Sequence, residues 1–451
     1  MKNYAPSARR IPELDGLRVL LVFIVSWYHI WQQSWLSPSV GSYSLDYLVR
    51  GGYMPVDGTI LLSGFLLFLP YARSLLLGEP MPQRRSFYRK RVMRIVPSFY
   101  FVTLVMLFAV ALPWQLFYKP QLLVKDVFMH LTFTFTFDPY TYISTPLGVA
   151  SWTLAIETQA YLLFPFLARW VMQRPAPRLL GMVGVSWLWR GYCLWSMTEY
   201  NMVVNQLPSF LDVYALGMAA ALIYVRLTQL YPKAKRPLLW QVLATAAVCA
   251  CVWGISEVIR SQAASGSGSS LQAGQMIRRF PFAALAALLA LALPFTVLPL
   301  RKLMGNRLMT FLAGISMNYY LWHQNIAVHL KRLGIPFSEF QLPNQAGDRP
   351  WQYQYTFLCF ALSLLVAILV TYLIEKPGAR LLQRWFDQRD ACRQARYAAS
   401  AQTVAAQLQP GDIVLAPLSP DAAAALQHAA PHATVTVTEA PGDTLTLHRN
   451  S

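Results

Sequence analysis

The chain has 451 residues, of which 55% are hydrophobic, 14% aromatic and only 13% charged, whereas soluble domains run near ~25% charged. With a mean hydropathy of +0.36, this excludes a string of soluble domains. It also excludes an intrinsically disordered chain, which would be poor in Leu, Phe, Trp and Tyr. The net charge of +18 would point to nucleic acid in a soluble protein, but in a membrane protein it marks cytoplasmic loops, so no nucleic-acid partner is expected.

A bilayer core of ~30 Å takes about 20 apolar residues per helix. Ten segments meet that length: 16–35, 53–71, 95–112, 152–172, 178–197, 207–226, 237–256, 280–299, 309–330 and 354–374. The expected fold is therefore an all-α polytopic bundle of about ten transmembrane helices. The stretch 121–137, where Thr alternates with Phe, reads as an external amphipathic or re-entrant piece. With the N-terminus inside, the cytoplasmic connections carry 27 Lys and Arg and the external ones 9. That bias gives an N-in, C-in topology. The external connection 257–279 contains SQAASGSGSS, a flexible linker by composition.

Beyond the last span, residues 379–396 read as a basic interfacial helix, with Leu381, Leu382, Trp385 and Phe386 among arginines. Residues 397–451 form a short Ala/Pro/Thr-rich cytoplasmic tail. Within it GDIVLAP, DAAAALQHAA and ATVTVTEA read as strand, helix and strand. The five cysteines lack CxxC spacing, so they are packing residues, and no metal site is expected.

Ionisable side chains inside spans are costly and hence functional candidates. Six stand out: His29, Asp57, Glu157, Arg190, Asp212 and His323. At 1.5 Å per residue all six fall in the outer half of the bilayer, which suggests a polar pocket open to the outside. The competing reading is that they are paired groups fastening helices together, with Glu157 and Arg190 as one salt bridge. Arg18 and His29 are 11 residues apart, so they lie on one helix face with His29 ~16 Å above Arg18. A guanidinium fork suits phosphate, and an imidazole suits proton transfer near neutral pH. The connection 72–94 adds Arg84, Arg85, Arg89, Lys90, Arg91 and Arg94 beside the cytoplasmic mouth.

These residues resemble a known family, the acyltransferase-3 family of integral membrane acyltransferases, over about residues 10–378. LDGLR at 14–18 followed by His29 is similar to its Arg-x10-His pattern. VDGTILLSGFLL at 56–67 resembles its second-helix stretch, with Asp57 and Ser63-Gly64-Phe65 in place. Arg91 and Arg94 resemble its cytoplasmic Arg-x-x-Arg, and SWTLAIETQAYLLFP at 151–165 aligns Glu157 with its acid. LDVYALGMAAA at 211–221 and ISMNYYLWHQNI at 315–326 continue the likeness. Thr158 stands where a second acid is frequent, Gly58-Thr59 where aromatics are, and Asn325 where proline is usual.

The resemblance implies a membrane acyltransferase domain over residues 1–378 of a cell-membrane protein. The donor would be acyl-CoA, usually acetyl-CoA, taken from the cytoplasm as a substrate rather than a bound cofactor. The acceptor would be a hydroxyl of a surface glycan or lipid-linked sugar. Arg18, Arg91 and Arg94 would hold the CoA phosphates. His29 would act as general base or transient acyl carrier, with Glu157 orienting it. Asp57, Arg190, Asp212 and His323 would shape the acceptor pocket. Some relatives fuse an external esterase-like domain opening with Gly-Asp-Ser; here Gly411-Asp412-Ile413 stands in the tail, so a single-domain member is expected. The alternative function is a multi-span exporter of a glycan or small metabolite, which buried charges would serve equally well.

Overall fold

The computed structural model describes residues 10–148, 151–232, 236–406, 413–416, 420–430, 434–437 and 446–448. Long helices stand at every position where a span is expected. They are α1 (Pro12–Ser34), α3 (Pro55–Leu77), α4 (Arg84–Val105), α7 (Trp152–Gln173), α8 (Pro175–Ser196), α9 (Leu211–Leu230), α10 (Leu238–Ala263), α11 (Ser269–Ala292), α13 (Arg307–Arg332) and α14 (Arg349–Val370). Short helices α2 (Asp46–Arg50), α5 (Pro120–Leu131), α6 (Pro139–Ile143) and α12 (Leu298–Met304) lie between them, with a two-residue hairpin, β1 (Ser39–Val40) and β2 (Tyr43–Ser44).

Among the described residues, seven helices are long and apolar enough to cross a bilayer. They are α1, α3, α4 with its extension to Ala111, α9, α10, α11 and the helical run beginning at Arg349. The count of ten expected from sequence is therefore seven by this measure. The other three, α7, α8 and α13, are long enough but carry more polar residues: Glu157, Thr158 and Gln159; Arg178 and Arg190; Asn318, His323, Gln324 and Asn325. Two of them, α7 and α13, line the cavity described below, and α8 supplies a buried arginine.

Helix α11 turns small residues inward, and many large apolar residues of the bundle face outward. Ala283, Ala286, Ala287 and Ala290 of α11 are buried, while Leu188, Trp195, Trp253 and Phe357 stand on the exterior. That is the pattern of helices whose solvent is hydrocarbon, where close backbone approach replaces the hydrophobic effect as the drive for association. The tightest seam joins α3 to α9: a Cβ on Gly217 would lie 2.4 Å from the Leu61 carbonyl oxygen, and one on Gly64 3.1 Å from that of Tyr214. This contact fixes the part of α3 that carries Asp57 and Ser63. Two π-helical turns, Met106–Ala111 and Thr371–Glu375, extend α4 and α14.

The connection read as a flexible linker is not one. Helix α10 continues to Ala263 and α11 starts at Ser269, so the turn is short and Arg278 and Arg279 are helical. The 121–137 stretch folds as α5 followed by a 3-10 turn, with Val124 and Phe128 exposed. It is anchored by a buried His130–Asp126 pair (3.0 Å), a Thr145 hydroxyl donating to Asp126 (2.7 Å), and His130 stacked on Phe135.

The chain divides between Glu375 and Lys376 into two compact units. The second contains α15 (Lys376–Ala405), longer than the basic helix expected at 379–396, and α16 (Pro420–Ala429). Strands β3 (Ile413–Ala416), β4 (Thr434–Val437) and β5 (Thr446–His448) form a sheet in the order β4-β3-β5. Strand β3 is parallel to β4 and antiparallel to β5. The strand, helix and strand read from the tail are thus present, β5 is added to them, and the second unit is not all-α. Gly411 and Asp412 lie outside the described residues.

Candidate active site

Five helices each turn one polar stripe toward a common cavity of about 570 Å³. On α1 the stripe is Asp15 and Arg18, with Val22 beyond them; on α3 it is Thr59 and Ser63. Helix α4 contributes Lys90, Arg91 and Arg94, α7 contributes Thr153, Glu157 and Tyr161, and α13 contributes Ser316 and Tyr320. The spacings of three, four and seven residues are those that stack side chains on one helical face. With Arg10 included, five cations face two carboxylates, Asp15 and Glu157. Such a lining attracts an anion, and its forks suit phosphate. The structure thus brings the three arginines singled out for a phosphate donor, Arg18, Arg91 and Arg94, into one site with Glu157.

Several of these groups are held in place. Arg94 pairs with Glu375, which closes the π-helical turn after α14. Asn318 donates to the other Glu375 oxygen at 2.6 Å. The Arg91 guanidinium lies 5.6 Å from the centre of the Tyr161 ring. Glu157 accepts from the Ser63 hydroxyl at 2.9 Å and from the Tyr161 hydroxyl at 2.8 Å. The carboxylate is therefore bonded within the cavity, and Arg190, its expected salt-bridge partner, is paired elsewhere.

His29 stands apart from that lining. Its ring centre is 5.2 Å from that of His323. The Gln32 amide donates to the Tyr28 hydroxyl at 2.9 Å, which turns its oxygen toward His29 Nδ1 at 3.0 Å. An oxygen at that position requires a proton on Nδ1, so the lone pair is on Nε2. His323 is fully buried, and its Nδ1 faces the Tyr320 carbonyl at 2.7 Å. Its Nε2 has no protein partner. The two imidazoles therefore sit side by side, each with its Nδ1 fixed by an oxygen partner. Tyr320, which lines the cavity, ties this pair to it. Glu157, expected to orient His29, bonds Ser63 and Tyr161 instead; the group beside His29 is Gln32.

The remaining buried charges form a third group. Arg190 of α8 pairs with Asp212 of α9, which also accepts from Ser186 at 3.0 Å. Asp57 of α3 pairs with Arg279 of α11 at 3.3 Å. Arg279 is fully buried and also donates to the Val204 carbonyl at 2.7 Å, to Ser209 and to Asn205, with its guanidinium 3.9 Å from the Phe210 ring centre. Asp57, Arg190 and Asp212, expected to shape an acceptor pocket, are buried in ion pairs, Asp57 with Arg279 and Arg190 with Asp212. His323, the fourth residue of that set, stands against His29 and Tyr320.

Sequence reasoning did not find Arg279, because SQAASGSGSS placed it in an external loop. The available signal was a charge imbalance: Asp57 and Asp212 share a depth at which Arg190 is the one expected cation.

The sequence pattern of the acyltransferase-3 family, described as an acyltransferase domain, matches residues 11–376. A protein named O-acetyltransferase OatA from Staphylococcus aureus is 30% identical over 191 residues, covering 39% of this chain and 27% of that protein. One named peptidoglycan O-acetyltransferase OatA from Listeria monocytogenes is 27% identical over 206 residues, covering 40% of this chain and 29% of its own. This chain thus spans under a third of the length of these two relatives. No solved structure matches the chain. The match extends over both the arginine-lined cavity and the paired histidines, and the chain belongs to the acyltransferase-3 family.

Proposed function

We propose that this protein is a membrane-bound O-acyltransferase that moves an acyl group, acetyl in the simplest case, from cytoplasmic acyl-CoA to a hydroxyl of a cell-surface carbohydrate. The observation that carries this reading is the single cavity shared by Arg18, Arg91, Arg94 and Glu157. Its cations match the phosphates of a CoA donor. The relatives' names, O-acetyltransferase and peptidoglycan O-acetyltransferase, favour acetyl and a cell-wall glycan. In this reading ten helices cross the cell membrane with both ends of the bundle inside, so the cavity's Arg-rich mouth faces the cytoplasm.

His29 Nε2 then takes the proton of the acceptor hydroxyl, and Gln32 holds the tautomer that makes this possible. His323 presents a second acceptor nitrogen to the same substrate, and the Asp57–Arg279 and Arg190–Asp212 pairs hold the helices around it. Membranes containing the protein, incubated with radiolabelled acetyl-CoA, should transfer label to a surface glycan. His29→Ala should abolish that transfer with membrane insertion intact. Arg91→Ala should raise the KM for acetyl-CoA. Transport of a glycan with no label transferred would favour the exporter reading.

A further inference from the structure

The Ser63-Gly64-Phe65 motif has no role in the mechanism so far. Its serine lies in the donor cavity, on the face of α3 that also presents Thr59. The Ser63 hydroxyl donates to Glu157 at 2.9 Å, and the Tyr161 hydroxyl holds the second carboxylate oxygen at 2.8 Å. A hydroxyl bonded to a base that is itself oriented by a third group is the arrangement of an activated nucleophile. Gly64, the next residue, packs against the Tyr214 backbone, which restricts movement of Ser63 with its helix. His29 is not among the cavity's lining residues; it stands against His323. A thioester held in this cavity therefore meets Ser63 and Glu157 first.

Resting on the acyltransferase reading above, we propose that Ser63 accepts the acyl group from the donor before it passes to the acceptor. Ser63 Oγ attacks the thioester carbonyl while Glu157 takes the hydroxyl proton. The carbon–sulfur bond breaks, and the CoA thiolate recovers that proton from Glu157 and leaves as the thiol. The acyl group is then an oxygen ester on Ser63. In the second half the acceptor hydroxyl attacks this ester with its proton taken by His29. The bond between the acyl carbon and Ser63 Oγ then breaks, and His29 returns that proton to Ser63 Oγ as the new ester leaves, so protons balance and nothing is oxidised or reduced.

The test uses the full chain in lipid nanodiscs with radiolabelled acetyl-CoA and no acceptor. The wild type should retain up to one equivalent of hydroxylamine-labile label on the peptide containing Ser63. It should also exchange labelled CoA into unlabelled acetyl-CoA. Ser63→Ala should lose the label and slow exchange at least ~10³-fold, the scale of removing a nucleophile, while binding CoA as the wild type does. Ser63→Cys should restore exchange and shift the adduct to a thioester. Label on another residue, or exchange undiminished in Ser63→Ala, overturns the proposal. So does CoA binding with transfer to a membrane glycan but no label and no exchange, which leaves the acyltransferase reading standing. Absence of CoA binding by the wild type overturns that reading and the relay with it.

Discussion

Replacing Arg279 with methionine should be among the most damaging single changes outside the cavity. The guanidinium Nε lies 3.3 Å from the Asp57 carboxylate, and the other nitrogens donate to Val204, Ser209 and Asn205. At an effective dielectric near ~20, two charges at that distance attract by about 5 kcal/mol. Mutational experience with buried pairs gives about 3–5 kcal/mol when one partner is removed, because the other is left uncompensated. Arg190 cannot substitute, since it is committed to Asp212. The expected loss is therefore about 3–5 kcal/mol, well above the ~0.6 kcal/mol average of an ordinary interhelical hydrogen bond in a membrane. Equilibrium unfolding of the detergent-solubilised protein, followed by tryptophan fluorescence, measures it. The double variant Asp57→Asn with Arg279→Gln removes both charges and should be milder than Arg279→Met alone. A loss below ~1 kcal/mol, or a double variant no milder than the single one, would refute the assignment of these charges as mutually compensating.

Gln32→Leu removes the acceptor that keeps a proton on His29 Nδ1; turnover should fall ~10–100-fold, as for other groups that orient a working histidine, with the KM for acetyl-CoA unchanged. Gly217→Val would drive a side chain into the Leu61 carbonyl and should destabilise the bundle by at least ~1–3 kcal/mol, read by the same unfolding assay. Asp138, outside the spans, caps α6 through the Tyr140 and Thr141 amides. Burial raises its carboxyl pKa, but the Lys125 hydrogen bond and those amides outweigh this and hold it below its ordinary value. Its contribution is therefore present above the ordinary carboxylate range and lost as pH falls through the depressed value. Asp138→Ala should cost about 1 kcal/mol at neutral pH and progressively less in acid, measured by proteolysis of the 113–151 segment at a series of pH values.

Hydrophobic length placed the ten long helices before Lys376, since a run of twenty apolar residues has few alternatives to a helix in lipid. That Arg18 and His29 leave α1 on one side was legible too, because helical geometry makes spacing equivalent to direction. The misreading at 257–279 has a local cause. Gly and Ser residues near the turn suggested a long loop, but the helices pack to within a few residues of it, and burial of Arg279 against Asp57 compensates the polar residues carried inside.

Composition by itself determined that this is a multi-helix membrane protein and which polar residues its spans carry, and its motifs carried the acyltransferase-3 likeness. Only the tertiary structure decided how those residues meet. It put Glu157 with Ser63 rather than with Arg190 or His29, put His29 with His323, and gave Asp57 a partner more than two hundred residues away in sequence. A helix dictates the direction of its own side chains, but pairing depends on which helices adjoin and at what height. That is decided by close contacts such as the α3–α9 glycine seam and by the cost of leaving a buried charge alone.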